Sequence, residues 1–189
     1  MFLFYEIMQA PAQATEVVVM IHGLQSSHQT FDCLKYKLPQ EWKIITLDLK
    51  GHGRSAAMAC ENQDYSSEQM AVEVKMLVDH LGLTKFHLLG HSMGARTAMA
   101  YAACYPQDLK SLVLEDMGPE KRQDPNPEIL QRLQQVEQAW RHHNLEFESK
   151  EEILEILRPL FSYANGLLES KVMALPNDKW KLLFNPGIA

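Results

Sequence analysis

One serine flanked by glycines is the strongest candidate for a chemically reactive residue in this 189-residue chain. Gly90-His91-Ser92-Met93-Gly94 follows the pattern G-x-S-x-G, in which a sharp turn between a strand and a helix leaves the serine hydroxyl exposed. Glycines two residues before and after the serine remove side chains that would collide in such a turn. The expected chemistry is nucleophilic attack on an acyl carbon. The alternative is a serine that only caps the following helix.

The elements that would position this serine are predicted by hydrophobic patterning. Short apolar runs alternate with helical patterns from Val17 to Gly118, which predicts an α/β fold with a parallel sheet and crossover helices. Because the run 17–21 lacks polar alternation, its strand should be buried on both faces. The predicted strands are 17–21, 43–49, 85–89 and 109–114; one predicted helix follows a capping box at Ser66 and Gln69, and a second covers 95–105.

Three motifs follow consecutive predicted strands in a fixed order. His22-Gly23 comes first, Gly51-His52-Gly53-Arg54-Ser55 second, and the serine motif third. In this order they resemble the α/β-hydrolase superfamily from about Val17 to Pro119, and the following stretch is similar to the lid of small bacterial acyl esterases. The resemblance implies a mostly parallel sheet with flanking helices at 1–118, incomplete at the C-terminus, and a small helical lid at 119–189.

The resemblance also implies a site built from these turns. Ser92 would be the nucleophile. The backbone N–H groups of Leu24 and Met93 would form the oxyanion hole, since one donor follows the His22-Gly23 turn and the other follows the nucleophile.

An acidic side chain would orient the catalytic base. Glu115-Asp116 ends the last predicted core strand, and only one of the two side chains can face the site because adjacent strand residues point to opposite faces. The resemblance to lidded esterases favours Asp116 as the acid. A purely structural role for Asp116 stays open, and Glu115 is expected to be solvated or bound to a neighbouring strand end.

The catalytic histidine is the part that this chain is not expected to supply. None of its eight histidines follows His143, and the resemblance implies that the base follows the last strand of a complete core, beyond Ala189. His142 or His143 is an alternative, although adjacent helical residues diverge by ~100°. Two absent strands would leave the predicted strand 109–114 as an apolar sheet edge, so self-association is expected.

These observations predict a serine hydrolase of carboxylic esters or thioesters with short acyl groups, whose partner is a small-molecule acyl ester or thioester. A serine nucleophile argues against the dehalogenases and epoxide hydrolases of similar fold, which use an aspartate. Two alternatives stay open. One is a non-catalytic binding protein, and the other is an acyltransferase or lyase on the same scaffold.

Composition disfavours several other classes of protein. The net charge is −6, and the basic residues are scattered, so nucleic acid and membrane surfaces are not expected partners. Cys33, Cys60 and Cys104 form no C-x-x-C pair, which favours a reducing, cytoplasmic location. The opening residues 1–5 predict an edge strand rather than a secretion signal. No run reaches the ~20 apolar residues needed to cross a bilayer, so the chain is expected to be soluble.

No cofactor or metal ion is expected from the motifs. Gly51-x-Gly53-x-x-Ala56 imitates a dinucleotide fingerprint, but no helix is expected to open there. His87 and His91 have a metal-ligand spacing for a helix, yet they lie on a predicted strand end, where that spacing does not bring them together.

Overall fold

The computed structural model describes residues 2–34, 37–60, 64–120, 146–157 and 172–182. The chain divides into two compact units, residues 1–120 and 121–189. This division lies close to the boundary between 118 and 119 that the sequence predicts. The function of the second unit as a lid stays a prediction.

The first unit contains a five-stranded sheet with the order β1-β3-β2-β4-β5. Its strands are β1 (Tyr5–Gln9), β2 (Glu16–Ile21), β3 (Trp42–Leu47), β4 (Phe86–His91) and β5 (Leu109–Glu115). Only β1 runs antiparallel to its neighbour β3, and the other pairings are parallel. The predicted α/β class with a mostly parallel sheet is confirmed.

Two helices form the crossovers on one face of the sheet. Helix α1 (Ser67–His80) leads into β4, and α2 (Met93–Cys104) leads into β5. The predicted start of α1 is confirmed, since Ser66 Oγ accepts a hydrogen bond from the Gln69 N–H at 3.2 Å. None of the described helices is long and apolar enough to cross a membrane.

Both faces of the central strands are apolar because both are covered. On one face Val19 and Ile21 belong to a core cluster with side chains of α1 and α2. On the other face Val18 and Met20 pack with Phe31 of a 3-10 helix, His28–Leu34. The uninterrupted apolar run of β2 therefore reflects burial on both sides.

Two local expectations differ from the structure. The N-terminal edge strand is Tyr5–Gln9 rather than the first five residues, because Leu3 is used for burial in the core and pairing with β3 starts at Tyr5. A 3-10 helix, Gly53–Cys60, opens in the glycine-rich turn where no helix was expected. Such short segments need only local i→i+3 hydrogen bonds and leave little sequence signal.

The described part of the second unit contains three short strands as well as a helix, and the sequence patterns did not predict these strands. Strands β6 (Glu146–Phe147), β7 (Val172–Ala174) and β8 (Trp180–Leu182) form an antiparallel sheet with the order β6-β8-β7. Strands of two or three residues are too short to show an alternating pattern. At the start of α3 (Lys150–Leu157), Ser149 Oγ accepts a hydrogen bond from the Glu152 N–H at 3.1 Å and so caps the helix.

Strand β5 is the edge of the five-stranded sheet. Its apolar residue Val113 is 47% exposed. An exposed apolar edge strand is a template for pairing with another chain. Self-association through β5 stays a prediction.

Candidate active site at the serine turn

Ser92 joins β4 to α2 in a backbone conformation that residues other than glycine rarely adopt. Its φ is 51° and its ψ is −114°, a strained combination that costs ~1–3 kcal/mol. The Ser92 N–H donates to the Glu115 carbonyl at 2.9 Å, and the Ser92 carbonyl accepts from the Ala95 N–H at 3.0 Å. The hydroxyl does not cap the helix. The alternative of a helix-capping serine therefore does not hold.

The glycines of the motif are required by close backbone approach. A β-carbon on Gly94 would lie 2.5 Å from the His22 carbonyl oxygen and even closer to the Ile21 carbonyl oxygen. A β-carbon on Gly90 would lie 2.6 Å from Ala95 Cα. These neighbours are backbone atoms, which cannot rotate away as a flexible side chain can. The first turn of α2 is thus packed directly against the end of β2.

The turn that follows β2 lies against the serine. A β-carbon on Gly23 would be 3.2 Å from Ser92 Cβ and 2.9 Å from His91 Nδ1. Among the described residues, neither the Leu24 N–H nor the Met93 N–H has a hydrogen-bond acceptor. The Met93 N–H lies at the start of α2, where the helix dipole favours negative charge. The turn and the helix start therefore bring two unused amide donors to the neighbourhood of Ser92.

His22 positions this turn and is not placed to act as a base. Its Nε2 accepts a hydrogen bond from the Leu49 N–H at 3.0 Å, so the ring proton lies on Nδ1, which donates to the Gly23 carbonyl at 2.7 Å. Because a trans peptide directs its N–H opposite to its carbonyl, this bond points the Leu24 N–H away from His22. Complete burial, with the nearby His52, lowers the pKa of His22 to about 3.

A neutral buried His22 should make the protein less stable in acid. The unfolded histidine has a pKa near 6.5 against about 3 in the folded chain, so the unfolded state binds the extra proton below pH 6.5. The resulting loss is about 2 kcal/mol between neutral pH and pH 5. We expect His22→Gln, measured by urea unfolding at several pH values, to have a weaker acid dependence than wild type. Equal slopes for the two proteins would contradict this role, and the exposed His80→Gln should behave as wild type.

Asp48, which the sequence analysis did not single out, connects the loops after β2 and β3. The side chain is fully buried. Its Oδ1 accepts from the His28 N–H at 2.6 Å and from His28 Nδ1 at 2.9 Å, and its Oδ2 accepts from the Arg54 N–H at 2.8 Å. A β-carbon on Gly53 would be 2.7 Å from Oδ1. The carboxylate of Asp48 thus fixes both loops. The only sign of this role in the sequence is the position of a charged residue at the end of an apolar run.

Asp48 and His28 form a buried ion pair. Burial raises the pKa of Asp48, but the hydrogen bonds from His28 and Arg54 outweigh it, so the pKa is lower than usual. Burial likewise lowers the pKa of His28, but the hydrogen bond and charge of Asp48 outweigh it, so this pKa is raised. Both shifts favour the charged forms of the two side chains.

Asp116 follows β5 in a left-handed conformation, with φ at 68°, and its side chain is exposed. The preceding residue, Glu115, is also exposed, and its carbonyl accepts the Ser92 N–H. This bond brings the end of β5 to the serine turn. Among the described residues the Asp116 carboxylate has no hydrogen-bond partner.

No described histidine is hydrogen-bonded to Ser92 Oγ. His142 and His143, the alternative bases, lie outside the described residues. Within the described ranges there is also no group of three or more His, Cys, Asp and Glu side chains that could hold a metal ion.

The model of the alpha/beta hydrolase fold family matches residues 16–185, and the chain belongs to this family. It is 33% identical over 119 residues to the sn-1-specific diacylglycerol lipase of Mus musculus, covering 62% of this chain and 37% of that protein. It is also 33% identical over 104 residues to the 2-succinyl-6-hydroxy-2,4-cyclohexadiene-1-carboxylate synthase of Serratia proteamaculans, covering 54% of this chain and 38% of that protein.

A solved structure described as a marine microorganism esterase superposes with a TM-score of 0.80 at 21% identity, covering 99% of this chain and 70% of that one. At this identity the likeness concerns the fold. The chain matches about two fifths of the length of the two curated relatives.

Proposed function

We propose that this chain carries the nucleophile of a hydrolase that acts on small carboxylic esters or thioesters with short acyl groups. The observation that carries the proposal is the strained turn at Ser92, whose hydroxyl caps no helix and whose neighbours include two unused amide donors. Backbone strain of this kind persists only where the surrounding structure holds it in place. It is common at functional sites.

In the proposed reaction the Ser92 hydroxyl oxygen bonds to the acyl carbon, the hydroxyl proton passes to the base that Asp116 would orient, and the alcohol or thiol of the substrate leaves with that proton. Negative charge develops on the former carbonyl oxygen, and the N–H groups of Leu24 and Met93 stabilise it. Loss of one such donor typically costs ~2.7–4 kcal/mol of transition-state stabilisation. His22 acts through Leu24, because its hydrogen bond to the Gly23 carbonyl fixes the orientation of the donor peptide.

Asp116 is assigned as the acid that orients the base. Its support is its place after the strand end that is hydrogen-bonded to Ser92, and its left-handed backbone. The base itself is assigned to no described residue.

Two further observations agree with this proposal. The mouse relative is named a lipase and the structural neighbour an esterase, which favours acyl esters as the substrate class. Cys33 and Cys104 are free thiols, which is in keeping with the proposed reducing, cytoplasmic location.

Labelling with a fluorophosphonate tests the nucleophile. We expect the phosphonyl group on the peptide that contains Ser92, and none on that peptide after Ser92→Ala. Ser66→Ala is the matched control, because Ser66 caps a helix and its loss should leave labelling unchanged. Absence of phosphonyl from the Ser92 peptide in folded wild-type protein would refute the proposal.

A lyase reaction at the same serine is the second candidate, and the name of the Serratia relative favours it. In a lyase the serine would move a proton and form no acyl bond. Acyl groups trapped on Ser92 from a thioester support the hydrolase, whereas phosphonylation without any trapped acyl group supports the lyase.

A further inference from the structure

A second serine and histidine face each other near the start of β4 and β5. His87 is paired with Ser111 in the sheet register, and their side chains are hydrogen-bonded, with 2.7 Å between His87 Nδ1 and Ser111 Oγ. Ser92 follows the opposite end of β4, roughly 15 Å away along the strand at ~3.3 Å per residue. The pair is therefore separate from the serine turn.

A carboxylate from a third strand contacts the His87 ring, and Glu16, His87 and Ser111 are called the array below. Glu16, the first residue of β2, has its Oε2 at 3.2 Å from His87 Nε2. The hydrogen bond from Lys110 lowers the pKa of Glu16, so Glu16 is a carboxylate at neutral pH. A carboxylate only accepts hydrogen bonds, so the proton of a neutral His87 ring lies on Nε2. Nδ1 is then the acceptor, and the Ser111 hydroxyl donates to it.

The imidazole of His87 is also held in place through the face of its ring. The ring of Trp42 stacks on that of His87, with centroids 5.9 Å apart and planes inclined by 11°. A β-bulge between β4 and β5 also lies here, since Phe86 pairs with Leu109 and His87 with Ser111, which leaves Lys110 as the extra residue. Bulges re-aim side chains and are frequent next to active sites. In this chain the bulge sets Ser111 opposite His87.

An apolar cavity adjoins the array. Its volume is about 150 Å³, enough for a benzene-sized group. Ser111 and His87 lie on its wall together with apolar side chains that include Met20, Leu89 and Val113. Ser111 itself is exposed, so a small ester can reach its hydroxyl while an aryl group fills the cavity.

We propose that Ser111, His87 and Glu16 form a second acyl-accepting site, which takes acyl groups from small aryl esters. A nucleophile within hydrogen-bond reach of a base, with the base oriented by a third group, is the arrangement that activates serine. Ser111 and His87 are the catalytic residues of this site, and Glu16 is a positioning residue.

The acylation step balances without any further reactant. Ser111 Oγ forms a bond to the acyl carbon while its proton moves to His87 Nδ1, and Glu16 stabilises the resulting imidazolium. The bond from the acyl carbon to the aryloxy oxygen then breaks, and the leaving phenol takes the proton from Nδ1. Hydrolysis repeats the sequence with water as the nucleophile and returns the proton to Ser111. Because no pair of amide donors is assigned here, the expected reaction is slow acylation.

The test uses p-nitrophenyl acetate and the full chain with Ser92→Ala, which removes the other nucleophile and separates this proposal from the first. We expect one acetyl group, located on Ser111 by peptide mass spectrometry. Adding Ser111→Ala should abolish it. Adding His87→Gln should slow acetylation by about 10²-fold, as expected for loss of a general base. Circular dichroism confirms that each variant is folded.

A matched pair of variants isolates Glu16. Glu16→Gln removes the negative charge that faces both His87 and Lys110, whereas Lys110→Met removes only the positive charge of the ion pair. Acetylation should slow in the first and stay unchanged in the second, and equal losses would overturn the role of Glu16. Acetyl groups found only on other residues would overturn the site as a whole. An acetylation rate of Ser111 that is unchanged by His87→Gln would also overturn it.

Discussion

Replacing Gly94 by alanine is expected to destabilise the first unit by about 3 kcal/mol, at the upper end of the usual cost of overpacking. The new methyl group would lie 2.5 Å from the His22 carbonyl oxygen and closer to that of Ile21. Alanine favours a helix over glycine by ~1 kcal/mol, so helix propensity alone predicts the opposite sign. We expect the steric clash to outweigh the gain in helix propensity, because the backbone atoms near the end of β2 can move away only by separating the strand from α2.

Gly82→Ala is the matched control for this prediction. Gly82 has a φ of 64°, and a β-carbon there would have no neighbour within 4 Å, so alanine costs only the backbone strain of about 1–2 kcal/mol. Urea unfolding compares the two variants with wild type. The fluorophosphonate label on Ser92 should be reduced in Gly94→Ala and retained in Gly82→Ala. A Gly94→Ala protein as stable as wild type would show that the turn can widen without loss.

Replacing Asp48 by alanine is the second large effect, expected to cost about 3–5 kcal/mol, as for breaking a buried ion pair. The variant leaves the ring of His28 with only the half-exposed Glu6 as counter-ion, and it leaves two backbone N–H groups without acceptors. The matched control is Asp79→Ala, which removes an exposed i,i+4 pair with Lys75 and should cost about 0.5 kcal/mol or less. Urea unfolding near pH 6 measures both.

The pH dependence of the Asp48 effect has a definite sign. The pKa of Asp48 is lowered from 3.8, so its contribution is present above that value and is lost as pH falls through the folded pKa. The pKa of His28 is raised from 6.5, so its contribution is present below that value and is lost as pH rises through the folded pKa. The stability difference between wild type and Asp48→Ala should therefore be largest between about pH 4 and 6.5. A difference that grows from pH 6 to pH 9 would contradict the ion pair.

Much of the fold follows from local patterns in the sequence. The apolar runs of β2 to β5 and the capping box of α1 were found within a few residues of their places, because strand and helix periodicities and caps depend on neighbours in the chain. The position of the edge strand β1 and the small sheet of the second unit were not found. Strands with little alternation obtain their stability from pairing partners far away in sequence, which no local pattern contains.

The serine turn could be predicted from local sequence, because the steric demand of Gly90-His91-Ser92-Met93-Gly94 acts within five residues. The long-range hydrogen bonds could not be predicted in this way, because they form only when distant parts of the chain are brought together by folding. The hydrogen-bonded residues are far apart in the sequence: Asp48 and His28 by 20 positions, His87 and Ser111 by 24, and His87 and Glu16 by 71. These contacts depend on strand order and register, and a slip of one residue would turn His87 to the other face of the sheet.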